Sequence, residues 1–103
     1  MEGLNGAFVI KHSSPGGEMR PTLTFNVTGE NTFEGTVASM DAVYPMINCA
    51  INGDEVTFAY VQETPMGPQK PTYRGKLDGD SFNGKVKLGG PFGVKKFTGE
   101  RVK

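Results

Sequence analysis

Apolar and polar residues alternate with a period of two along most of the chain. Leu23, Phe25 and Val27 alternate with Thr22, Thr24, Asn26 and Thr28, and Val56, Phe58 and Tyr60 with Thr57, Ala59 and Val61. Phe82, Val86 and Leu88 alternate in the same way with Ser81, Lys85 and Lys87. Successive side chains of a strand point to opposite faces, so each run predicts a half-buried strand of an antiparallel sheet with one wet face. No window holds the spacing of an amphipathic helix for three turns. Turn-forming clusters separate the runs: Ser14-Pro15-Gly16-Gly17, Thr28-Gly29-Glu30-Asn31, Asn52-Gly53-Asp54, Asp78-Gly79-Asp80 and Gly89-Gly90-Pro91. Asn52-Gly53 and Asp78-Gly79 suit type I′ hairpins, whose two central residues both take positive φ. The strands so delimited are 4–12, 20–28, 32–40, 42–51, 55–63, 71–77, 81–88 and 93–102. An open meander of these strands would expose two unpaired edges, and closure removes both. The pattern therefore predicts one all-β domain over 1–103, a closed antiparallel eight-stranded up-and-down barrel.

A short repeat reinforces the barrel. Phe33-Glu34-Gly35 and Phe82-Asn83-Gly84 each follow a turn, and Phe97-Thr98-Gly99 echoes them. The aromatic faces inward, and a glycine two residues later shares its face, leaving room for a bulky neighbour or permitting a sharp bend.

Composition narrows the function classes. Lys plus Arg and Asp plus Glu are 11 each, so the chain lacks the basic excess of a protein that binds nucleic acid through bulk electrostatics. No apolar stretch approaches the roughly 20 residues of a membrane helix, and the first residues lack the form of a secretory signal. With a single cysteine, Cys49, no internal disulfide forms. The expectation is a cytoplasmic protein with no membrane or nucleic-acid partner.

Gly6-Ala7-Phe8 resembles the Gly-x-Trp of the first strand of calycins, the small barrels of lipocalins, fatty-acid-binding proteins and avidins, with phenylalanine in place of tryptophan. Arg101 resembles the basic residue of their last strand that packs across the first-strand aromatic and closes the barrel. The segments DGDSFNG and NGDEVTF are also similar to short lipocalin-like domains found alone or attached to bacterial hydrolases. The resemblance implies a lipocalin-like barrel that binds a small apolar molecule, or, as in a minority of members, an isomerase or cyclase. Phe8 and Arg101 carry over as a scaffold pair.

Read on their own, Phe8, Ile10, Phe25, Phe33 and Phe58 are expected to line the interior, with Phe82 and Val86 beside them. His12, Tyr60 and Gln62 then place polar groups near a rim, where a ligand needs partners. Met66, in the proline-rich stretch 63–71, is expected to fold over the mouth from a stiff, extended connection. His12 and Tyr60 are the candidate proton-transfer groups of a cofactor-free enzyme. One histidine and one cysteine do not make a zinc site, and no motif for a metal or other cofactor occurs. Strand 42–51 is apolar on both faces, which suggests cover from a second subunit or an enzyme partner. Cys49 reads as core filler, and Lys85, Lys87, Lys95 and Lys96 concentrate charge near the C-terminus.

Overall fold

A computed structural model describes residues 2–14, 17–39, 42–64, 67–88 and 93–102. After a short 3-10 turn at Glu2–Leu4 come β1 (Gly6–Ser14), β2 (Gly17–Met19), β3 (Thr22–Val27), β4 (Phe33–Ser39), β5 (Ala42–Pro45) and β6 (Ile47–Asn52). They are followed by β7 (Glu55–Ala59), β8 (Gln62–Thr64), β9 (Gly67–Gln69), β10 (Thr72–Asp78), β11 (Ser81–Lys87) and β12 (Val94–Arg101). The main sheet runs β5-β4-β3-β1-β12-β11-β10-β7-β6, with β2 paired to β1. Every strand pairing among the described residues is antiparallel, and β1 joins the last strand with Phe8 opposite Arg101. The two ends of the path, β5 and β6, are consecutive in the chain on either side of Met46. The sheet thus rolls into a nearly closed up-and-down barrel, as the alternation implies.

The sheet has ten strands rather than eight. The run 42–51 is divided because Pro45 has no N–H to donate. Met46 N–H donates to Gly35 O at 2.9 Å, and the β6–β7 register then shifts between Ile47 and Ala50. Asn48, with φ 54°, sits in this bulge. The bulge flips the parity of the strand. Tyr44 and Met46 turn inward before it, Cys49 and Ile51 after it, while Val43, Pro45, Asn48 and Ala50 are exposed. The two apolar faces read from the sequence are one inner face with a step in it.

Two further expectations are corrected. The proline-rich stretch is not a plain extended connection, since Gln62–Thr64 and Gly67–Gln69 pair as a separate hairpin. The tight turns are not type I′. Asn52 pairs with Glu55 and Asp78 with Ser81, so the central residues are Gly53-Asp54 and Gly79-Asp80. Only the glycines, at φ 68° and 62°, have positive φ, the sign pattern of type II′.

The barrel interior is filled by rings. Phe25 lies 5.6 Å, centroid to centroid, from each of Phe33, Phe58 and Phe82, and 5.8 Å from Phe8. Edge-to-face aromatic contacts of this kind add to the hydrophobic gain of burial. Arg101 closes one end. Its guanidinium stands 4.6 Å from the Phe8 centroid and donates to Asn5 O at 2.6 Å, to Gly3 O and to Asp80 at 2.9 Å. The Asp80 carboxylate is exposed and adds little; the two carbonyls tie the N-terminal turn, with buried Leu4, across the barrel end. Arg101→Ala is expected to cost about 2 kcal/mol and to lower the thermal midpoint by about 8–16 °C. Arg101→Lys should recover only part of that, because an ammonium lacks the planar fork that spans several acceptors. Thermal unfolding followed by circular dichroism checks both.

Candidate functional site

The end of the barrel opposite Arg101 carries a line of inward polar side chains. His12 lies late in β1, and Tyr73 is the second residue of β10. The Tyr73 hydroxyl lies 3.3 Å from His12 Nε2, and His12 Nδ1 lies 3.0 Å from Ser13 O. A carbonyl only accepts, so Nδ1 is the donor; in the neutral ring Nε2 then accepts from Tyr73. Tyr60 stacks on Tyr73 with ring centroids 6.1 Å apart, and Tyr44 lies tilted against Tyr60 at 5.2 Å. Below them Phe58 lies parallel to Tyr73 at 5.0 Å and anchors the cluster in the core.

Burial pushes the Tyr73 phenol far above its ordinary value, and Tyr60 beside it adds to the shift. Burial raises Tyr60 as well, the Tyr73 hydroxyl opposes the shift and the neighbouring Tyr44 adds to it. Both phenols are held as neutral hydrogen-bonding groups. Ser39, the inward residue at the end of β4, is only 5% exposed, and its hydroxyl has no hydrogen-bond partner among the described residues. A buried hydroxyl without a partner costs about 1–3 kcal/mol. Burial also raises the Cys49 thiol, which favours the unreactive protonated form.

The structure brings together two of the residues expected at the rim, His12 and Tyr60. Phe8, Ile10, Phe25, Phe33 and Phe58 lie deeper and pack into one cluster. Gln62 is half-buried on β8, in the small hairpin outside the main sheet, and Met66 lies outside the described residues. Tyr73 and Ser39 are the additions. Tyr73 shares the parity of Pro71, Gly75 and Leu77, but a glycine carries no apolar mark and hides that alternation. Ser39 continues the inward series Phe33, Gly35, Val37 and was readable as its polar end.

Two open depressions, of about 430 and 530 Å³, lie on the outer side of the barrel. The larger is bordered by Lys11, His12, Ser13, Lys96 and Thr98. Among the described residues no three His, Cys, Asp or Glu side chains cluster, and no helix is long and apolar enough to cross a membrane. No protein-family model, curated protein or solved structure matches the chain.

Proposed function

We propose that the chain is a lipocalin-like binding protein for a small, apolar or aromatic molecule with a hydrogen-bonding group, taken up at the polar end of the barrel by His12, Tyr60 and Tyr73. The observation that carries the reading is the buried Ser39 hydroxyl, unpartnered among the described residues, at the same end of the barrel as the hydrogen-bonded His12–Tyr73 pair and the Tyr60 ring stacked on Tyr73. A ligand supplies what such a group lacks. A deeper position would displace rings already in mutual contact, such as Phe25 and Phe58. The guanidinium of Arg101 lying over the Phe8 ring supports the calycin-like reading.

The chain has no tryptophan, so intrinsic emission comes from its three tyrosines, all in this cluster. A panel of small aromatic and alicyclic compounds titrated against this emission is expected to give a saturable change. Tyr73→Phe keeps the ring and removes the hydroxyl, and should weaken binding about tenfold. Binding that is unchanged in both Tyr73→Phe and Ser39→Ala would sink the assignment, as would a panel without a single binder. A cofactor-free isomerase or cyclase is the second reading, favoured by the hydrogen bond between the sole imidazole and a buried phenol. Turnover of a bound compound that is lost in His12→Ala separates enzyme from carrier.

A further inference from the structure

The outer face of β10, β11, β12 and β1 holds a block of cations in a chain whose charges balance. Arg74 and Lys76 on β10, Lys85 and Lys87 on β11, Lys96 on β12 and Lys11 on β1 are all exposed. The register sets Arg74 opposite Lys85 and Lys85 opposite Lys96, a row of three cations across three strands. Like charges directly opposed on a sheet destabilise it by up to about 1 kcal/mol per pair. Acids pair with this block at its flanks, Glu55 with Arg74 and Glu18 with Lys11, each at 3.3 Å. Among the described residues Lys76, Lys85, Lys87 and Lys96 make no ion pair. The two outer depressions adjoin on this face, sharing Lys11 and Thr98; their other polar groups include Ser13, Ser81 and Asn83 and two carboxylates, Glu18, which Lys11 and Arg20 neutralise, and Glu100 on β12, opposite Val9 of β1.

We propose that this face docks an extended acidic segment of a partner protein. Strands lie about 4.8 Å apart, and every second residue along a strand recurs at about 6.8 Å. Lys85 and Lys87 therefore repeat along β11, and Arg74 and Lys76 along β10, at the interval of alternate carboxylates in an extended peptide. Such a segment lying along β11 meets Lys85 and Lys87 at successive outward positions, with Ser81 and Asn83 before them, and the row Arg74, Lys85, Lys96 supplies charge on either side. Occupation also relieves the repulsion within the row. Single-stranded nucleic acid fits less well, because its binders offer exposed aromatic rings for stacking. Every aromatic ring among the described residues is buried or half-buried.

The test is fluorescence anisotropy of a labelled peptide of alternating Glu and Ser, long enough to cross the sheet. Binding is expected to be saturable, to weaken as salt rises, and to fall about tenfold in Lys85→Glu. The same reversal replaces two repulsive neighbours by attractive ones, so the thermal midpoint of the free variant should hold or rise. The double variant Thr24→Glu, Asn31→Asp changes net charge equally on β3 and the turn after it, three strands along the sheet from β11, and should leave binding unchanged. Failure of the peptide to bind overturns the proposal, as does equal loss in that double variant. Displacement of the peptide by an oligothymidylate of equal charge at a lower concentration overturns it in favour of nucleic acid.

Discussion

Gly84→Ala is expected to destabilise the barrel by about 3–4 kcal/mol and to lower its thermal midpoint by about 12–30 °C. Gly84 faces Gly75 across β10 and β11. A Cβ there would overlap Arg74 O and stand 2.5 Å from Gly75 Cα. Both obstacles are backbone, so no rotamer change relieves them, and the strands must part where their ladder is continuous. The glycine pair also makes space for the core. A Cβ at Gly75 would lie 2.8 Å from Phe82 and 2.9 Å from Phe97, so both rings rest on that glycine's bare backbone. Two comparisons isolate the cause. Gly79→Ala meets no atom within 4 Å but forces alanine into φ 62°, and should cost about 1 kcal/mol. Gly3→Ala meets only Leu77 at an ordinary 3.5 Å and should shift stability by less than about 0.5 kcal/mol. Denaturant unfolding of the three variants checks the order. A Gly84→Ala protein as stable as Gly3→Ala would mean that the close strand approach does not govern this part of the barrel.

The same glycines show how much of the fold is legible in the sequence. The aromatic-x-glycine repeat marks where an inward ring is followed by a close approach, and Gly35, Gly84 and Gly99 each lack room for a Cβ. The alternation also places Phe8, Phe25, Phe58 and Phe82 inside, because burial of one face imposes a period of two. What it does not convey is a break in that period. The bulge at Asn48 shifts parity by one, so 42–51 reads as two apolar faces where the barrel has one. The turn type depends on which residue the ladder makes central, and a slip of one residue moves glycine from the second central position to the first. The candidate site suffers from the same limit. His12 and Tyr60 stand on clear alternations, but Tyr73 is flanked by Pro71 and Gly75, and only the pairing of β10 with β7 and β11 fixes its face. Its bond to His12 joins residues 61 positions apart, beyond the reach of any local pattern.

That bond belongs to a cluster whose chemistry makes the fold sensitive to alkali. The Tyr73 and Tyr60 phenols are both raised above the ordinary value, chiefly by burial. The folded chain therefore keeps two protons that the unfolded chain releases near pH 10. Below that pH both states are protonated and these groups give stability no slope. Above it the unfolded state binds fewer protons, and stability falls by about 1.4 kcal/mol per pH unit for each phenol held neutral. Tyr73, held neutral far above that value, removes about 3 kcal/mol within two pH units, and Tyr60 acts in the same direction. That is a large part of the margin of a small domain, so the chain is expected to lose stability steeply above about pH 11. Tyr73→Phe removes the larger contribution and should flatten the slope of stability against pH. In Tyr44→Phe only the two buried phenols remain, so phenolate absorbance should appear together with the loss of the far-ultraviolet dichroism. Phenolate absorbance at full amplitude in Tyr44→Phe while the dichroism is still native would show that both hydroxyls reach solvent in the folded state. That outcome would also remove the premise that a ligand at this end finds dry hydrogen-bonding groups, so the titration bears on the binding proposal as well as on stability.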